Sequence, residues 1–178
     1  MPTIAYAAYG SNLHPFRLTT RVPSARLVGT FAFGEMRLVF HKRSDDGSGK
    51  CTLLAAPSEP DSVHFALYEL DARDKGRLDE LEGLHRGYLE QSLKVTVNGT
   101  MYLPSTYTAS SSHLDGSLIP YDWYKEMVLL GAKYHRFPEP YVSAIEAITS
   151  ARDSKRERAQ SNWNLVEQMR KINLSIAE

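Results

Sequence analysis

The sequence predicts a single α+β domain in which strands dominate the first two thirds of the chain and helices the last third. Segments of alternating apolar residues, which are typical of strands, recur between residues 4 and 108. From Pro120 the apolar residues are spaced as on the buried face of a helix, and this spacing continues nearly to the end of the chain. A chain of 178 residues has the length of one domain and can bury about 70% of its unfolded surface.

The first element is a strand from Ile4 to Tyr9 that runs into a tight turn at Gly10, Ser11 and Asn12. A glycine at the start of a loop lets the backbone approach a ligand closely. Successive unpaired N–H groups then bind an anion such as a carboxylate or a phosphate. The same residues also fit a plain strand-ending turn whose polar side chains bond to their own backbone. The residues alone leave both interpretations open.

A short helix and three strands follow the turn. Pro15 suits the first position of the helix, because proline is pre-organised for a helix start. Gly34 is expected to act as a hinge between the first two strands, and a loop by composition precedes the third. The predicted ranges are 13–20 for the helix, 26–33, 35–42 and 51–56 for the strands, and 45–49 for the loop.

A strand over residues 63–70 leads directly into a helix that ends in an acidic residue. Asp71 is a good N-cap for this helix and Gly83 a good C-terminal stop, so Glu82 falls in its last turn. A carboxylate there can exchange protons in an active site or be an ordinary solvated acid. The residues alone favour the solvated acid, because glutamate is almost always exposed.

Asn98-Gly99 is the strongest hairpin signal in the chain. Residues 87–97 and 101–108 flank it as two strands, and we expect them to pair antiparallel. Tyr88 lies in the first of these strands, where a tyrosine commonly packs across the sheet.

Three helices are predicted after a polar loop at residues 110–117. The first begins after Pro120, with Tyr124 on a face next to its apolar stripe. The second carries an apolar stripe that includes Tyr141, and a charged connector follows it. The third covers residues 160–176, and its apolar face either docks on the rest of the domain or forms a dimer contact. This face consists of Trp163, Val166, Met169, Ile172 and Ile176.

Composition and charge exclude several classes of protein. Twenty-one basic residues balance twenty-one acidic ones and form no basic stripe, so nucleic acid is not an expected partner. The N-terminus lacks the pattern of a secretory signal, and its apolar run is too short to span a membrane. Cys51 is the single cysteine and lies in an apolar run, which is typical of a small core residue. These features predict a soluble, cytoplasmic protein.

The histidines give no sign of a metal site. All six are scattered, and none has the i, i+4 partner or the Cys/His spacing that a zinc site requires. We therefore expect neither a metal nor another cofactor.

Three motifs, in the right order and at plausible spacing, resemble the gamma-glutamylcyclotransferase-like (AIG2-like) family. The first, Tyr9-Gly10-Ser11-Asn12-Leu13, is followed by Arg17, Arg21, Pro23, Ala25 and Gly29. The second, Leu78-Asp79-Glu80-Leu81-Glu82-Gly83, matches the family's signature around its catalytic glutamate. The third is Tyr124-Lys125 followed by Gly131-Ala132-Lys133. The resemblance covers roughly residues 3 to 148, and such a set is far more specific than one short motif.

The resemblance implies a fold and an activity. The fold is a small mixed β-barrel with surrounding helices, formed by residues 1–150. Residues 151–178 lie beyond the resemblance, and we expect them to be a helical extension of the same domain. The activity is that of a cyclotransferase, a lyase-type enzyme of glutathione metabolism that releases 5-oxoproline from a gamma-glutamyl amino acid or amine. A homodimer is a possible assembly.

The resemblance also assigns roles to residues. Glu82 is the expected catalytic acid and base, and the loop of Tyr9, Gly10, Ser11, Asn12 and Leu13 is expected to bind the substrate's alpha-carboxylate. Tyr88 and Tyr124 are expected to line the pocket. The alternative is a non-catalytic small-molecule binding module, or a partner-binding protein, on the same fold.

Overall fold

The computed structural model describes residues 1–57 and 62–177 of the chain, which form nine strands and five α-helices in these ranges. The strands are β1 (Thr3–Ala8), β2 (Arg26–Gly34), β3 (Met36–Arg43), β4 (Gly49–Ala55), β5 (Ser62–Asp71), β6 (Tyr88–Ser92), β7 (Val95–Val97), β8 (Thr100–Tyr102) and β9 (Ser105–Ala109). The helices are α1 (Pro15–Arg21), α2 (Lys75–Glu82), α3 (Asp122–Tyr134), α4 (Glu139–Glu146) and α5 (Arg156–Ala177). The α+β class predicted from the sequence is confirmed.

The main sheet has five strands in the order β2-β5-β1-β9-β6. Strand β1 lies at its centre, antiparallel to β5 and parallel to β9. The apolar run of the N-terminal strand fits this place, because a central strand that is covered on both faces needs few polar side chains. The turn after β1 therefore leaves from the middle of the sheet.

The expected closure of the sheet into a barrel is wrong. Among the described residues the main sheet is open, with β2 and β6 at its edges, and β3 pairs only with β4 in a separate ribbon. The β2–β5 ladder ends at the pair Gly34 and Ser62. Glu35 follows with a φ of 62°, and this left-handed residue turns the chain away from the sheet. The ribbon then contacts β9 through a hydrogen bond from the Ala109 amide to the Thr52 hydroxyl, 2.8 Å long.

Each strand predicted beside Asn98-Gly99 is broken in two. The hairpin itself is confirmed, since β7 and β8 pair across Asn98 and Gly99, whose φ angles are 51° and 78°. The outer segments, β6 and β9, pair antiparallel in the main sheet instead. The break falls where Pro104 has no N–H to donate to a ladder. Its carbonyl accepts a hydrogen bond from the Leu93 amide at 3.0 Å, which holds the two breaks side by side.

The C-terminal helix α5 packs on the rest of the chain. Val166 and Met169, two residues of its predicted apolar face, are completely buried. Arg170 donates to the Glu126 carboxylate at 2.8 Å, and the Asn173 side chain donates to the Leu130 carbonyl at 3.0 Å, both on α3. Ile176, predicted on the same face, is exposed. The homodimer stays a prediction.

Across residues 1–57 and 62–177, none of the helices combines the length and the apolar character that crossing a bilayer requires.

His14 links the start of α1 to α5 and is completely buried. Its Nδ1 accepts from the Phe16 amide at 3.2 Å, which caps α1, so the ring proton is on Nε2. That proton is donated to the Asn173 side chain of α5 at 3.0 Å. Burial lowers the pKa of His14, and burial likewise lowers the pKa of His135, whose Nε2 donates to the Leu13 carbonyl.

We expect stability to fall as the pH drops below about 6.5, the ordinary pKa of histidine. Below that pH, His14 and His135 bind protons in the unfolded chain but stay neutral in the folded protein, where burial lowers their pKa values. The free energy of unfolding therefore decreases until the pH reaches the lowered pKa values of the folded state. Urea unfolding between pH 7.5 and 5.5 measures the decrease. In His14→Asn, which keeps an N-cap but cannot titrate, the decrease should be smaller. An identical pH dependence in this variant would show that His14 contributes nothing to it.

Candidate active site

The Glu82 carboxylate reaches across to the first strand and its turn. Helix α2 ends at Glu82 because Gly83 adopts a φ of 72°, the left-handed conformation in which glycine commonly stops a helix. Glu82 Oε1 accepts a hydrogen bond from the Tyr6 hydroxyl at 2.7 Å and another from Asn12 Nδ2 at 2.6 Å. The carboxylate, which is partly buried, is therefore held in one position by two side chains far away in sequence.

The partners of Glu82 are themselves fixed. Arg21 donates from NH1 to Asn12 Oδ1 at 2.8 Å and from NH2 to the Leu81 carbonyl at 3.3 Å. Because the guanidinium has only donors, it fixes the Asn12 amide with Oδ1 towards Arg21 and Nδ2 towards Glu82. Burial, and then the Glu82 charge, raise the pKa of Tyr6 well above its ordinary value, so Tyr6 stays a neutral donor.

Seven of the eight predicted site residues line one small cavity. They are Tyr9, Gly10, Ser11, Asn12, Glu82, Tyr88 and Tyr124, and Tyr6, Cys51 and Tyr107 complete the wall. The cavity has a volume of about 30 Å³, enough for water but not for a glutamyl group. It adjoins a wider cleft of about 320 Å³, and Ser11, Glu82, Tyr88 and Tyr124 belong to both. The acid therefore stands where the cavity meets the cleft.

The tyrosine hydroxyls of the wall are held by backbone atoms. Tyr9 donates to the Tyr107 carbonyl, and Tyr88 donates to the Cys51 carbonyl at 2.6 Å. Tyr124 instead accepts from the Cys51 amide at 3.1 Å, so its own proton remains available for a ligand. Burial raises the pKa of Tyr9, Tyr88 and Tyr124, which keeps all three hydroxyls neutral.

Three residues of the turn after β1, Gly10, Ser11 and Asn12, line the cavity. Within the part of the chain that the structure describes, the amides of Gly10, Ser11 and Asn12 have no hydrogen-bond acceptor. Unpaired N–H groups at a polar cavity suit an anion. Leu13 differs, because its amide donates to the Gly10 carbonyl at 3.0 Å and its side chain is completely buried outside the cavity wall. Of the predicted loop, only Leu13 is not placed in the cavity.

Cys51 lies in the cavity wall but is not a candidate nucleophile. Burial raises the pKa of the Cys51 thiol to about 12, and a thiol that holds its proton is a poor nucleophile. Among residues 1–57 and 62–177, no three histidine, cysteine, aspartate or glutamate side chains come close enough together to hold a metal ion.

The contacts that position Glu82 do not follow from the sequence patterns. Tyr6 is one residue of the apolar strand from Ile4 to Tyr9, and Arg21 is one residue of the first motif, so neither pattern predicts a link to Glu82. Tyr88, which is expected to line the pocket, lies in the cavity wall and donates its hydroxyl proton to the Cys51 carbonyl. A signal for Tyr6 does exist in the sequence: a tyrosine in a buried strand usually needs a hydrogen-bond partner for its hydroxyl.

Tyr6→Phe is expected to lower the activity of this site about tenfold, the loss that follows from removing one hydrogen bond to a charged group. The ring still fills its place, while Glu82 loses the donor at 2.7 Å and gains freedom to rotate. Steady-state kinetics on the variant measures the effect. Tyr102→Phe, at a half-exposed tyrosine of β8, is the matched control. Equal rates for both variants would show that Tyr6 does not position the acid.

The chain is similar to known proteins both in sequence and in fold. Residues 62–145 match the model of the AIG2-like family. The chain is 27% identical over 158 residues to a gamma-glutamylcyclotransferase of Mus musculus, and the alignment covers 82% of this chain and 79% of the mouse protein. It is 29% identical over 150 residues to a gamma-glutamylcyclotransferase of Homo sapiens, and the alignment covers 80% of this chain and 77% of the human protein. A solved gamma-glutamyl cyclotransferase structure shares the fold with a TM-score of 0.77, at 23% identity and over 94% of this chain and 99% of that one.

Proposed function

We propose the following reaction for this chain, which belongs to the gamma-glutamylcyclotransferase-like (AIG2-like) family: release of 5-oxoproline from a gamma-glutamyl amino acid or amine. One observation carries the proposal. A single carboxylate, Glu82, is held by Tyr6 and Asn12 at the boundary between a donor-lined cavity and an open cleft. An acid at this boundary can exchange protons both with a nitrogen on the cavity side and with a nitrogen on the cleft side of a substrate that lies across it.

The reaction needs little beyond proton transfer and a fixed conformation. The substrate's own alpha-amine attacks its gamma-carbonyl carbon, and because the two are tethered the enzyme gains most by holding them together. The alpha-ammonium nitrogen loses two protons in becoming the lactam N–H. Glu82 takes the first so that the neutral amine attacks, and gives it to the leaving nitrogen as the old C–N bond breaks; the second, lost by the attacking nitrogen once the new C–N bond has formed, is taken up by the released amine, which leaves as an ammonium ion. Glu82 is restored, and the products are 5-oxoproline and a free amine or amino acid.

The substrate's placement follows from the donors around Glu82. In this proposal the amides of Gly10, Ser11 and Asn12 bind the alpha-carboxylate, and the Tyr124 hydroxyl donates a hydrogen bond to the glutamyl group. The leaving group then extends into the cleft, whose volume of about 320 Å³ is within the range of ligand sites. Tyr88 lines the route between the two spaces.

Blocking the alpha-carboxylate is expected to weaken binding about 10- to 100-fold. An ester or amide at this position cannot bring a negative charge to the Gly10, Ser11 and Asn12 amides, and charge-assisted hydrogen bonds contribute about 1.5–3 kcal/mol each. Titration calorimetry with free and methyl-esterified gamma-glutamyl amines, whose leaving groups are the same, measures the difference. Equal affinities would mean that the turn after β1 binds no anion.

The decisive test of the proposed function is 5-oxoproline release, followed by mass spectrometry, from a panel of gamma-glutamyl amino acids and gamma-glutamyl amines. We expect release from at least one member, with the free amine or amino acid formed in equal amount. Heat-denatured protein is the control for spontaneous cyclisation. If no member of the panel is cleaved although some bind, a non-catalytic binding module replaces the enzyme as the interpretation.

We also propose a cellular setting for the reaction. The single cysteine, Cys51, is a free thiol, which fits a reducing compartment such as the cytoplasm. A role in glutathione metabolism is part of the same proposal, since glutathione carries a gamma-glutamyl group.

A further inference from the structure

The cleft beside Glu82 is rich in cations, although the chain as a whole has no net charge. Five basic side chains line it, against three acidic ones that include Glu82 itself. The five are Arg17, Arg21, Lys42, Lys50 and Arg86. Lys42 is buried and Arg17 is half-buried, and neither forms an ion pair among the described residues. The cleft therefore holds positive charge that no ion pair of the described residues neutralises.

Arg17 is a half-buried cation whose Nε atom is buried without a hydrogen-bond partner in the described part of the chain. It lies on α1, and no other group in the described part of the chain accepts a hydrogen bond from its buried Nε. Burial, and then the neighbouring charge of Arg21, lower the pKa of Arg17 to about 10, so the side chain is still charged at neutral pH. A desolvated cation is costly unless something pairs with it. A ligand in the cleft is the available partner.

Lys42 is a second cation of the cleft without an ion pair among the described residues, and it lies on strand β3 of the β3–β4 ribbon. The residue is only 7% exposed, and its ammonium group lies 4.8 Å from the centre of the Tyr88 ring. Burial lowers its pKa, while the charges of Asp45, Asp46 and Glu82 act in the other direction. None of these carboxylates lies within the 4.0 Å of an ion pair with Lys42 in the described residues.

The other charges of the cleft are already engaged or face water. Lys50 donates to the Asp46 carboxylate at 2.7 Å and stacks on aromatic rings. Arg21 is used to orient Asn12, and Arg86 donates to the Glu80 carbonyl at 3.2 Å. The two acids besides Glu82, which are Asp45 and Glu80, are exposed at the rim.

From these observations, and resting on the proposed function, we propose that the cleft selects a leaving group with two negative charges. An acidic amino acid, which carries an alpha-carboxylate and a side-chain carboxylate, has this chemistry. Arg17 and Lys42 are the two cations that would receive the charges, one each. The proposal narrows the substrate from any gamma-glutamyl amino acid or amine to a gamma-glutamyl acidic amino acid.

Arg17 and Lys42 lie on the side of Glu82 where the leaving group of the substrate is expected. The glutamyl group occupies the cavity side of Glu82, where the turn amides hold its own carboxylate. The leaving nitrogen must then lie at Glu82, and whatever is attached to it continues into the cleft beside Arg17 and Lys42. An uncharged amine would leave both cations without partners, whereas an acidic amino acid satisfies both.

The test compares gamma-glutamyl-glutamate with gamma-glutamyl-glutamine, which have the same shape and differ by one charge in the leaving group. Binding is measured by calorimetry on Glu82→Gln, which does not consume the ligands. We expect at least about tenfold tighter binding of gamma-glutamyl-glutamate, the preference that one charge-assisted contact supplies. In Glu82→Gln/Lys42→Met the preference should fall to near one, and Lys42→Arg in the same background should restore part of it.

A control variant and a second readout separate the possible failures. Glu82→Gln/Arg43→Met changes the adjacent, exposed cation that pairs with Asp115 outside the cleft, and it should keep the full preference. Equal binding of the two dipeptides to Glu82→Gln, or a preference unaffected by Lys42→Met, overturns the inference. Preferential, Lys42-dependent binding without 5-oxoproline release from the unmodified protein would support the cleft's charge selectivity and overturn the proposed reaction.

Discussion

Glu82→Gln is expected to lower 5-oxoproline release by about 10²- to 10⁴-fold, the usual contribution of a general acid and base. The amide keeps the size of the side chain and an oxygen that can accept from Tyr6 and Asn12, which now approach at 2.7 and 2.6 Å. It cannot take a proton from the substrate's alpha-ammonium group or return one to the leaving nitrogen. The loss should therefore appear in kcat, measured by steady-state kinetics with mass-spectrometric detection of 5-oxoproline.

Binding and folding distinguish loss of chemistry from loss of structure. Glu82→Gln should bind the substrate within a few-fold of the unmodified protein by calorimetry, and its circular dichroism should be unchanged. The matched control is Glu157→Gln, which makes the same substitution at an exposed position of α5 that lines neither the cavity nor the cleft. Turnover by Glu82→Gln at the rate of this control would rule out Glu82 as the acid and base.

Local patterns predicted the parts of the fold that depend on local physics. The Asn98-Gly99 turn, the stop of α2 at Gly83 and the start of α1 at Pro15 all follow from backbone preferences of the residues themselves. The closure of the sheet did not follow in this way. Whether β3 continues the main sheet or leaves it depends on Glu35, a residue type that rarely adopts a positive φ, and on pairings distant in sequence.

In the candidate site too, residues in short continuous motifs were predictable, whereas contacts between residues distant in sequence were not. The resemblance identified Glu82 and the turn of residues 9–13, because each is a short continuous motif. The contact between Tyr6 and Glu82 joins residues 76 positions apart, and no local pattern contains such a pair. The same holds for Arg17 and Lys42, which reach one cleft from different elements. A chain with no net charge can therefore have a cleft with an excess of basic residues, and the amino-acid composition does not reveal this local excess.

Gly131→Ala is expected to reduce the free energy of unfolding by about 1–3 kcal/mol, the usual cost of overpacking a core. Helix α3 crosses the turn after β1 at Gly131, where a Cβ atom would lie 2.5 Å from Leu13 Cβ and 3.0 Å from the His14 amide nitrogen. Leu13 and His14 are completely buried, so neither can move without disturbing its neighbours. The better helix propensity of alanine, about 1 kcal/mol, does not offset this clash. Urea unfolding at pH 7.5 measures the change.

Gly76→Ala provides the matched control, because Gly76 also lies in a helix and a Cβ there would meet no atom within 4 Å. This variant should be as stable as the unmodified protein or more stable by up to about 1 kcal/mol. A displaced turn also moves Asn12, which holds Glu82 at 2.6 Å, so Gly131→Ala should lose activity as well as stability, even in the fraction that remains folded. If Gly131→Ala were as stable and as active as Gly76→Ala, the close packing of α3 against the turn would not be what fixes the position of the acid.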